Sequence, residues 1–143
     1  LHGWMDASAT FQFVVDALAA ELLPGRFRRF TVSPAQMPAL YRSADVFLHL
    51  SKLESFGNVY VEAMACGLPI VAEDSPRLRW IVGDDEHLVD TDRPETTAAA
   101  LRAAIADGLS RADTRSARAQ RFAWSQIAQD YRTFIADLIA QRS

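Results

Sequence analysis

The sequence predicts an α/β protein with a Rossmann-like parallel sheet and helices on both faces. Two observations carry this prediction. Short apolar runs of strand length alternate along the chain with longer segments of helical periodicity, and such alternation is typical of a parallel sheet. Residues 45–50 and 69–73 are also mostly apolar, as expected for strands that helices cover on both sides.

The element boundaries follow from the start and stop signals of helices. Helical periodicity over residues 6–23 ends at Pro24, and Ser33 with Pro34 opens the next helix. The remaining elements are predicted as strands at 28–32, 45–50, 69–73 and 87–90, and as helices at 59–66, 76–82, 94–108 and 114–141, the last with a break near Ala123.

Length and composition limit the protein class. We expect one domain over residues 1–143, which is long enough to bury a core. A formal net charge of −3 gives no case for nucleic acid as a partner. Cys66 is the single cysteine, so no internal disulfide forms, and a reducing, cytoplasmic location is expected.

Four arginines recur at helical spacing near the end of the chain, at positions 111, 115, 118 and 121. This spacing predicts a solvated, charged helix face. Contact with anionic lipid is the alternative interpretation.

Two carboxylates stand eight positions apart, at Glu54 and Glu62. Glu54 falls in the loop 51–57 after the predicted strand 45–50, and open α/β sheets bind ligands at that end of a strand. Glu62 lies in the predicted helix 59–66, whose other residues are apolar, so we expect a mostly buried side chain. A buried carboxylate costs free energy unless it is paired, and a ligand rich in hydroxyls would pair with it.

A Gly-Asn corner lies between these two acids. We predict that Asn58 caps the helix, so that the amides of Gly57, Asn58 and Val59 point outward and suit an anion such as a phosphate. Gly57 would let a ligand approach the backbone because it has no Cβ. The unit thus offers a carboxylate, an anion site and a second carboxylate in a row. A sugar, a phosphate and a ribose would present matching groups in the same order.

The stretch 54–62, with its continuation AMACGLPIVA over residues 63–72, resembles the signature of the group 1 (family 4) retaining glycosyltransferases of the GT-B fold. Residues 37–51 and 122–131 resemble the segments that precede this signature and close the domain. The resemblance implies the C-terminal, donor-binding domain of a larger enzyme, without its first strand-helix segment. The partners it implies are a nucleotide-sugar donor and an N-terminal acceptor-binding domain of the same parent chain.

The resemblance also implies roles for individual residues. Glu54 would contact the donor sugar as the catalytic residue, and Glu62 would bind the ribose hydroxyls. The residues between them would line the binding site for the sugar and the phosphate; they are Ser55, Phe56, Gly57, Asn58 and Val59. No metal and no cofactor are expected, peripheral membrane contact of the parent stays open, and the 143-residue chain alone is expected to be inactive.

Two points stay open at the sequence level. Many relatives carry glycines after the strand 69–73, whereas this chain has Arg77 and Arg79, which would either reach a phosphate or pair with one of three acids, Asp84, Asp85 and Glu86. His49 is assigned to packing, without chemistry.

Two other functions are compatible with the same fold. One is another GT-B enzyme, such as a sugar-nucleotide epimerase or a phosphorylase, for which Lys52 is the sole candidate lysine. The other is a non-catalytic nucleotide-binding module.

Overall fold

The structure is a computed structural model that describes the backbone of residues 3–141 and the side chains of residues 12–141. The chain divides into two compact units, Leu1–Ser33 and Pro34–Ser143, which are described separately. The single domain expected from chain length stays a prediction.

The described residues 3–33 of the first unit contain one helix, α1, over Gly3–Leu22, as the periodicity predicted. The strand predicted at 28–32 is wrong, because this segment is irregular. A strand needs a neighbour for its backbone hydrogen bonds, and the three-stranded sheet includes none of these residues. Arg29 instead turns back to α1 and forms an exposed ion pair with Asp16 at 3.0 Å.

The second unit is built on a parallel sheet of three strands in the order β1-β2-β3. They are β1 (Phe47–His49), β2 (Ile70–Glu73) and β3 (His87–Val89), which confirms the predicted strands with shorter bounds. Leu48 lies opposite Val71, and Ala72 lies opposite Leu88. Because the strands are parallel, their carboxyl ends meet at one edge of the sheet.

Six helices and one 3₁₀ turn accompany the strands within the described residues 34–141. They are the turn Pro34–Gln36, α2 (Met37–Arg42), α3 (Asn58–Ala65), α4 (Pro76–Val82), α5 (Pro94–Asp107), α6 (Ala112–Gln120) and α7 (Trp124–Ala140). The predicted break near Ala123 is confirmed between the last two. Within residues 3–141, no helix combines the length and the apolarity that crossing a membrane requires.

Alternate residues of β2 pack on opposite faces of the sheet. Ile70 and Ala72 belong to a core cluster with side chains of α3, α4 and α6. Val71 packs on the other face, against Ala104 of α5. Since Ile70, Val71 and Ala72 have no exposed surface, each side chain contributes hydrophobic free energy on the order of 1 to 3 kcal/mol. Helices on both faces of the sheet are thereby confirmed.

The start of α4 follows its sequence signals closely. The Ser75 hydroxyl accepts a hydrogen bond from the Leu78 amide at 3.3 Å, and Pro76 occupies the first helical position. This cap fixes the direction in which the helix leaves β2, and so places Arg77 and Arg79 near the sheet edge.

Three of the four arginines at positions 111–121 are bound by the protein, contrary to the predicted solvated face, whereas Arg121 is exposed as predicted. Arg115 is 2% exposed and pairs with the equally buried Glu86 at 2.8 Å. Arg111 binds Asp85 and Asp107, and Arg118 donates to the Ile81 carbonyl at 2.8 Å. The reason is packing: α6 lies against α3, so Arg115 and Arg118 face the protein.

Candidate functional site

The candidate site lies at the carboxyl edge of the sheet. The loop 51–57 leaves β1 at this edge, and the short loop after β2 leads from the same edge into α4. Glu54 is in the first loop, and Arg77 is the second residue of α4. Parallel α/β sheets present their ligand-binding loops at this edge, so the loop placement agrees with the sequence prediction.

Glu54 forms a close pair with His49, the last residue of β1. The distance from His49 Nε2 to Glu54 Oε1 is 2.7 Å, and the two side chains are 36% and 24% exposed. The hydrogen bond to His49 is the main reason that the pKa of Glu54 lies below its usual value. Ionised Glu54 only accepts hydrogen bonds, so His49 Nε2 carries the proton of this pair.

His49 is a site residue that the sequence did not reveal. Its position in a strand predicted a packing role, and its ring does contact those of Tyr60 and Phe47 at centroid distances of 5.3 and 6.1 Å. The strand ends at His49, however, and the following loop brings Glu54 back to the ring. The available signal was a titratable residue five positions before the motif acid.

We expect His49→Ala to raise the pKa of Glu54. The substitution removes the largest interaction that favours the ionised carboxylate, and the sign follows because loss of that interaction favours protonation. A carbon-13 NMR titration of the Glu54 carboxyl group measures the pKa directly.

His87→Ala is the matched control for that titration, because His87 pairs with a different acid, Asp107, at 3.1 Å. This control should leave the Glu54 titration in place. An unchanged pKa of Glu54 in His49→Ala would show that the pair does not exist in solution. The stability that the lowered pKa represents is present above the ordinary pKa of glutamate and disappears as the pH falls through the lowered one.

The start of α3 differs by one residue from the prediction. Asn58 is already helical, and Gly57 is the N-cap with φ 90° and ψ 51°. The left-handed backbone of Gly57 completes the turn into the helix, so the cap predicted for Asn58 is wrong. No side chain caps this helix start. Its first amides are therefore not occupied by a capping side chain, and they suit an anion.

The other predicted residues of this loop differ in exposure. Ser55 and Asn58 are exposed, and Val59 is half-buried. Phe56 is also half-buried, and its ring meets those of Trp80 and Phe122 edge-on, at centroid distances of 6.5 and 5.6 Å. Phe56 therefore anchors the loop to α4, which leaves Ser55 and Asn58 as the members available to a ligand.

Glu62 is exposed, so the buried carboxylate expected from its apolar neighbours is wrong. It lies on the outer side of α3, while Ala63 and Met64 face the core. The Tyr41 hydroxyl donates a hydrogen bond to Glu62 Oε2 at 2.9 Å. Burial, followed by this bond to a carboxylate, raises the pKa of Tyr41. The protein itself thus supplies one partner of Glu62.

Two open pockets adjoin Glu62. One of about 410 Å³ lies beside α2 and is lined by apolar groups together with Tyr41, Arg42 and Cys66. The other, of about 550 Å³, is lined by Phe56, Asn58, Val61, Glu62, Phe122, Trp124 and Ile127. Pockets of this size accept small molecules. Glu62 is therefore open to a ligand on both sides.

The two arginines after β2 have different surroundings. Arg79 binds Asp74 at 2.6 Å and Asp84 at 2.9 Å, so its ion-pair alternative is confirmed. Arg77 is half-buried, and its Nε is buried without a hydrogen-bond partner in the described part of the chain. Lys52 is exposed and pairs with Asp92 at 2.6 Å.

The chain is an α/β protein whose two acids lie beside an open helix start, at the sheet edge where parallel α/β proteins commonly bind ligands. The sequence profile of the family described as glycosyl transferases group 1 matches residues 13–121. The chain belongs to this family, which confirms the resemblance carried by residues 54–72.

Several curated relatives have related names. D-inositol 3-phosphate glycosyltransferase of Jonesia denitrificans is 38% identical over 107 residues, which are 69% of this chain and 25% of that protein. The protein of the same name from Paenarthrobacter aurescens is 32% identical over 139 residues, or 91% and 33%. Phosphatidyl-myo-inositol mannosyltransferase of Mycobacterium tuberculosis is 46% identical over 81 residues, or 54% and 20%. The chain spans a third or less of the length of these relatives.

Proposed function

We propose that this chain is the donor-binding part of a retaining glycosyltransferase that moves a sugar from a nucleoside-diphosphate sugar to an acceptor. The observation that carries the proposal is the arrangement of one strand-loop-helix unit. Glu54 and Glu62 lie before and after the start of α3, and no side chain caps that start. Membership of the group 1 family supports the same function.

Glu62 is proposed to bind the ribose of the donor. Tyr41 occupies Oε2 only, so Oε1 is open to a second donor. A carboxylate accepts several hydrogen bonds at once, and two neighbouring ribose hydroxyls fit that capacity. Tyr41 would hold the carboxylate in place, and this lowers the entropic cost of binding.

Glu54 is proposed to bind the donor sugar. Its hydrogen bond with His49 keeps the carboxylate ionised and fixes one oxygen, so the other accepts from a sugar hydroxyl. The amides at the start of α3 would meet a phosphate, with Ser55 and Asn58 at its side. In this arrangement the protein orients the donor and stabilises charge on the leaving diphosphate.

The remaining properties are proposed from the family. Transfer would occur on the front face of the sugar with retention of configuration, without a metal or another cofactor. The parent chain would contain an N-terminal acceptor-binding domain and act in the cytoplasm. Inositol 3-phosphate and phosphatidylinositol are proposed as the first members of an acceptor panel, because the names of two relatives contain them.

Glu62→Gln and Glu54→Gln test the proposal as a matched pair, in the parent protein. Glu62→Gln should weaken the binding of the free nucleoside diphosphate by about 1.5 to 3 kcal/mol, since the ribose hydroxyls lose a charged acceptor. This corresponds to roughly tenfold to a hundredfold in Kd. Glu54→Gln should leave that Kd nearly unchanged and lower kcat, because its partner is the sugar. Isothermal titration calorimetry and steady-state kinetics measure the two effects.

Three results would contradict parts of this proposal. Equal loss of nucleotide affinity in both variants would refute the division of roles. Unchanged affinity in Glu62→Gln would make Glu62 structural. Nucleotide binding without turnover by the parent, over the whole acceptor panel, would favour the non-catalytic module.

A further inference from the structure

Arg77 has a buried guanidinium nitrogen without an acceptor and, unlike Arg79 and Arg115, has no ion pair within the described residues. Its Nε is inaccessible to solvent and forms no hydrogen bond within the described residues. Arg115 also has one unpaired nitrogen, Nη2, but its Nε is bound to Glu86. Arg79, two positions along the same helix, is held by Asp74 and Asp84. Arg111, Arg115 and Arg118 are likewise bound to acids or carbonyls.

Arg77 lies on the side of α4 that faces the candidate site. Its positive charge acts on Glu54, after the larger contribution of His49, and on Tyr60 in the first turn of α3, where burial dominates. The contact between Phe56 and Trp80 joins the Glu54 loop to α4. Arg77 therefore lies near Glu54 and near the Tyr60 hydroxyl, which donates to the His49 carbonyl at the end of β1.

An unsatisfied buried donor is costly, and folded proteins hold few of them. The cost is removed if a ligand supplies the acceptor. A guanidinium presents its donors in a planar fork, which matches the oxygens of a phosphate and forms short, charge-assisted hydrogen bonds with them. The start of α3, which no side chain caps, and Arg77 in the first turn of α4 both follow strands at the carboxyl edge of the sheet.

We propose that Arg77 binds the diphosphate of the donor, opposite the amides at the start of α3. The proposal rests on the function proposed above, and it adds one cation to the proposed phosphate site. Arg77 would neutralise the diphosphate in the bound donor and stabilise the charge that grows when the bond to the sugar breaks.

The test compares Arg77→Met with Arg79→Met as a control on the same helix. The probes are ADP, GDP, UDP, their nucleosides and inorganic pyrophosphate, titrated by calorimetry into the parent protein. Arg77→Met should lower the affinity for the nucleoside diphosphate by roughly tenfold or more and leave the affinity for the nucleoside unchanged. Arg77→Lys should fall between, because it keeps the charge and loses the fork. Arg79→Met should change neither affinity.

Thermal unfolding separates this role from a structural one. Methionine fills similar space and removes the unsatisfied Nε, so Arg77→Met should keep or raise the Tm. A large fall in Tm would overturn the proposal, because the fold would then hold the guanidinium. Equal affinities of Arg77→Met and the unaltered parent protein for the diphosphate would overturn it and leave the proposed function standing. Failure of the unaltered parent protein to bind any nucleoside diphosphate would overturn both.

Discussion

Arg115→Ala is expected to destabilise the protein by about 3 to 5 kcal/mol, because it leaves Glu86 buried without its counter-charge. Arg115 Nε lies 2.8 Å from Glu86 Oε1, and each side chain is 2% exposed. The other carboxylate oxygen accepts from the Ile70 amide at 3.1 Å. The pair therefore joins α6 to the beginning of β2.

Urea unfolding followed by circular dichroism measures the loss, with the m-value as the check on two-state behaviour. Arg102→Ala is the matched control, since Arg102 is exposed on α5 and should change the free energy of unfolding by less than about 0.5 kcal/mol.

A double variant shows whether the loss comes from the uncompensated charge. Glu86→Leu combined with Arg115→Met should be more stable than Arg115→Ala alone, because apolar residues of similar volume replace a buried ion pair at little cost. If Arg115→Ala were as mild as Arg102→Ala, the pair would be open to water in solution.

Local signals predicted most of the architecture. Ser75 with Pro76 and Pro94 with Gly108 each marked a helix end that the structure reproduces within one residue. These signals depend on the backbone of a few neighbouring residues, so the sequence contains all the information they need. The Glu54 loop was located for the same reason, since it directly follows a strand.

The errors arose where a distant residue determines the outcome. The strand at 28–32 needed a pairing partner that the sheet does not provide. Arg115 has the same spacing as a solvated row, and its partner Glu86 is 29 positions away. Glu62 has apolar neighbours, yet which side of α3 faces the core depends on how the helix packs on the sheet. Periodicity over a short helix does not fix that rotation.

Gly57→Ala is expected to lower the stability by about 2 to 5 kcal/mol, through two separate costs. The backbone of Gly57 has φ 90°, which an alanine rarely adopts, and an added Cβ would lie 2.7 Å from Tyr60 Cδ2. Tyr60 has no exposed surface, and its hydroxyl donates to the His49 carbonyl at 3.0 Å, so the ring has little room to move. The sequence favoured ligand approach as the reason for this glycine, and the structure adds a reason in the fold.

Gly25→Ala isolates the backbone cost, because Gly25 has φ 70° and nothing lies within 4 Å of its added Cβ. It should therefore destabilise by only about 1 to 3 kcal/mol. Urea unfolding measures the stability of both variants. The donor KM is measured on the parent protein with and without Gly57→Ala. A Gly57→Ala variant no less stable than Gly25→Ala would show that the Tyr60 ring yields. A raised donor KM in that stable variant would show that Gly57 is needed for ligand approach, because the fold would be intact and donor binding alone would be weaker.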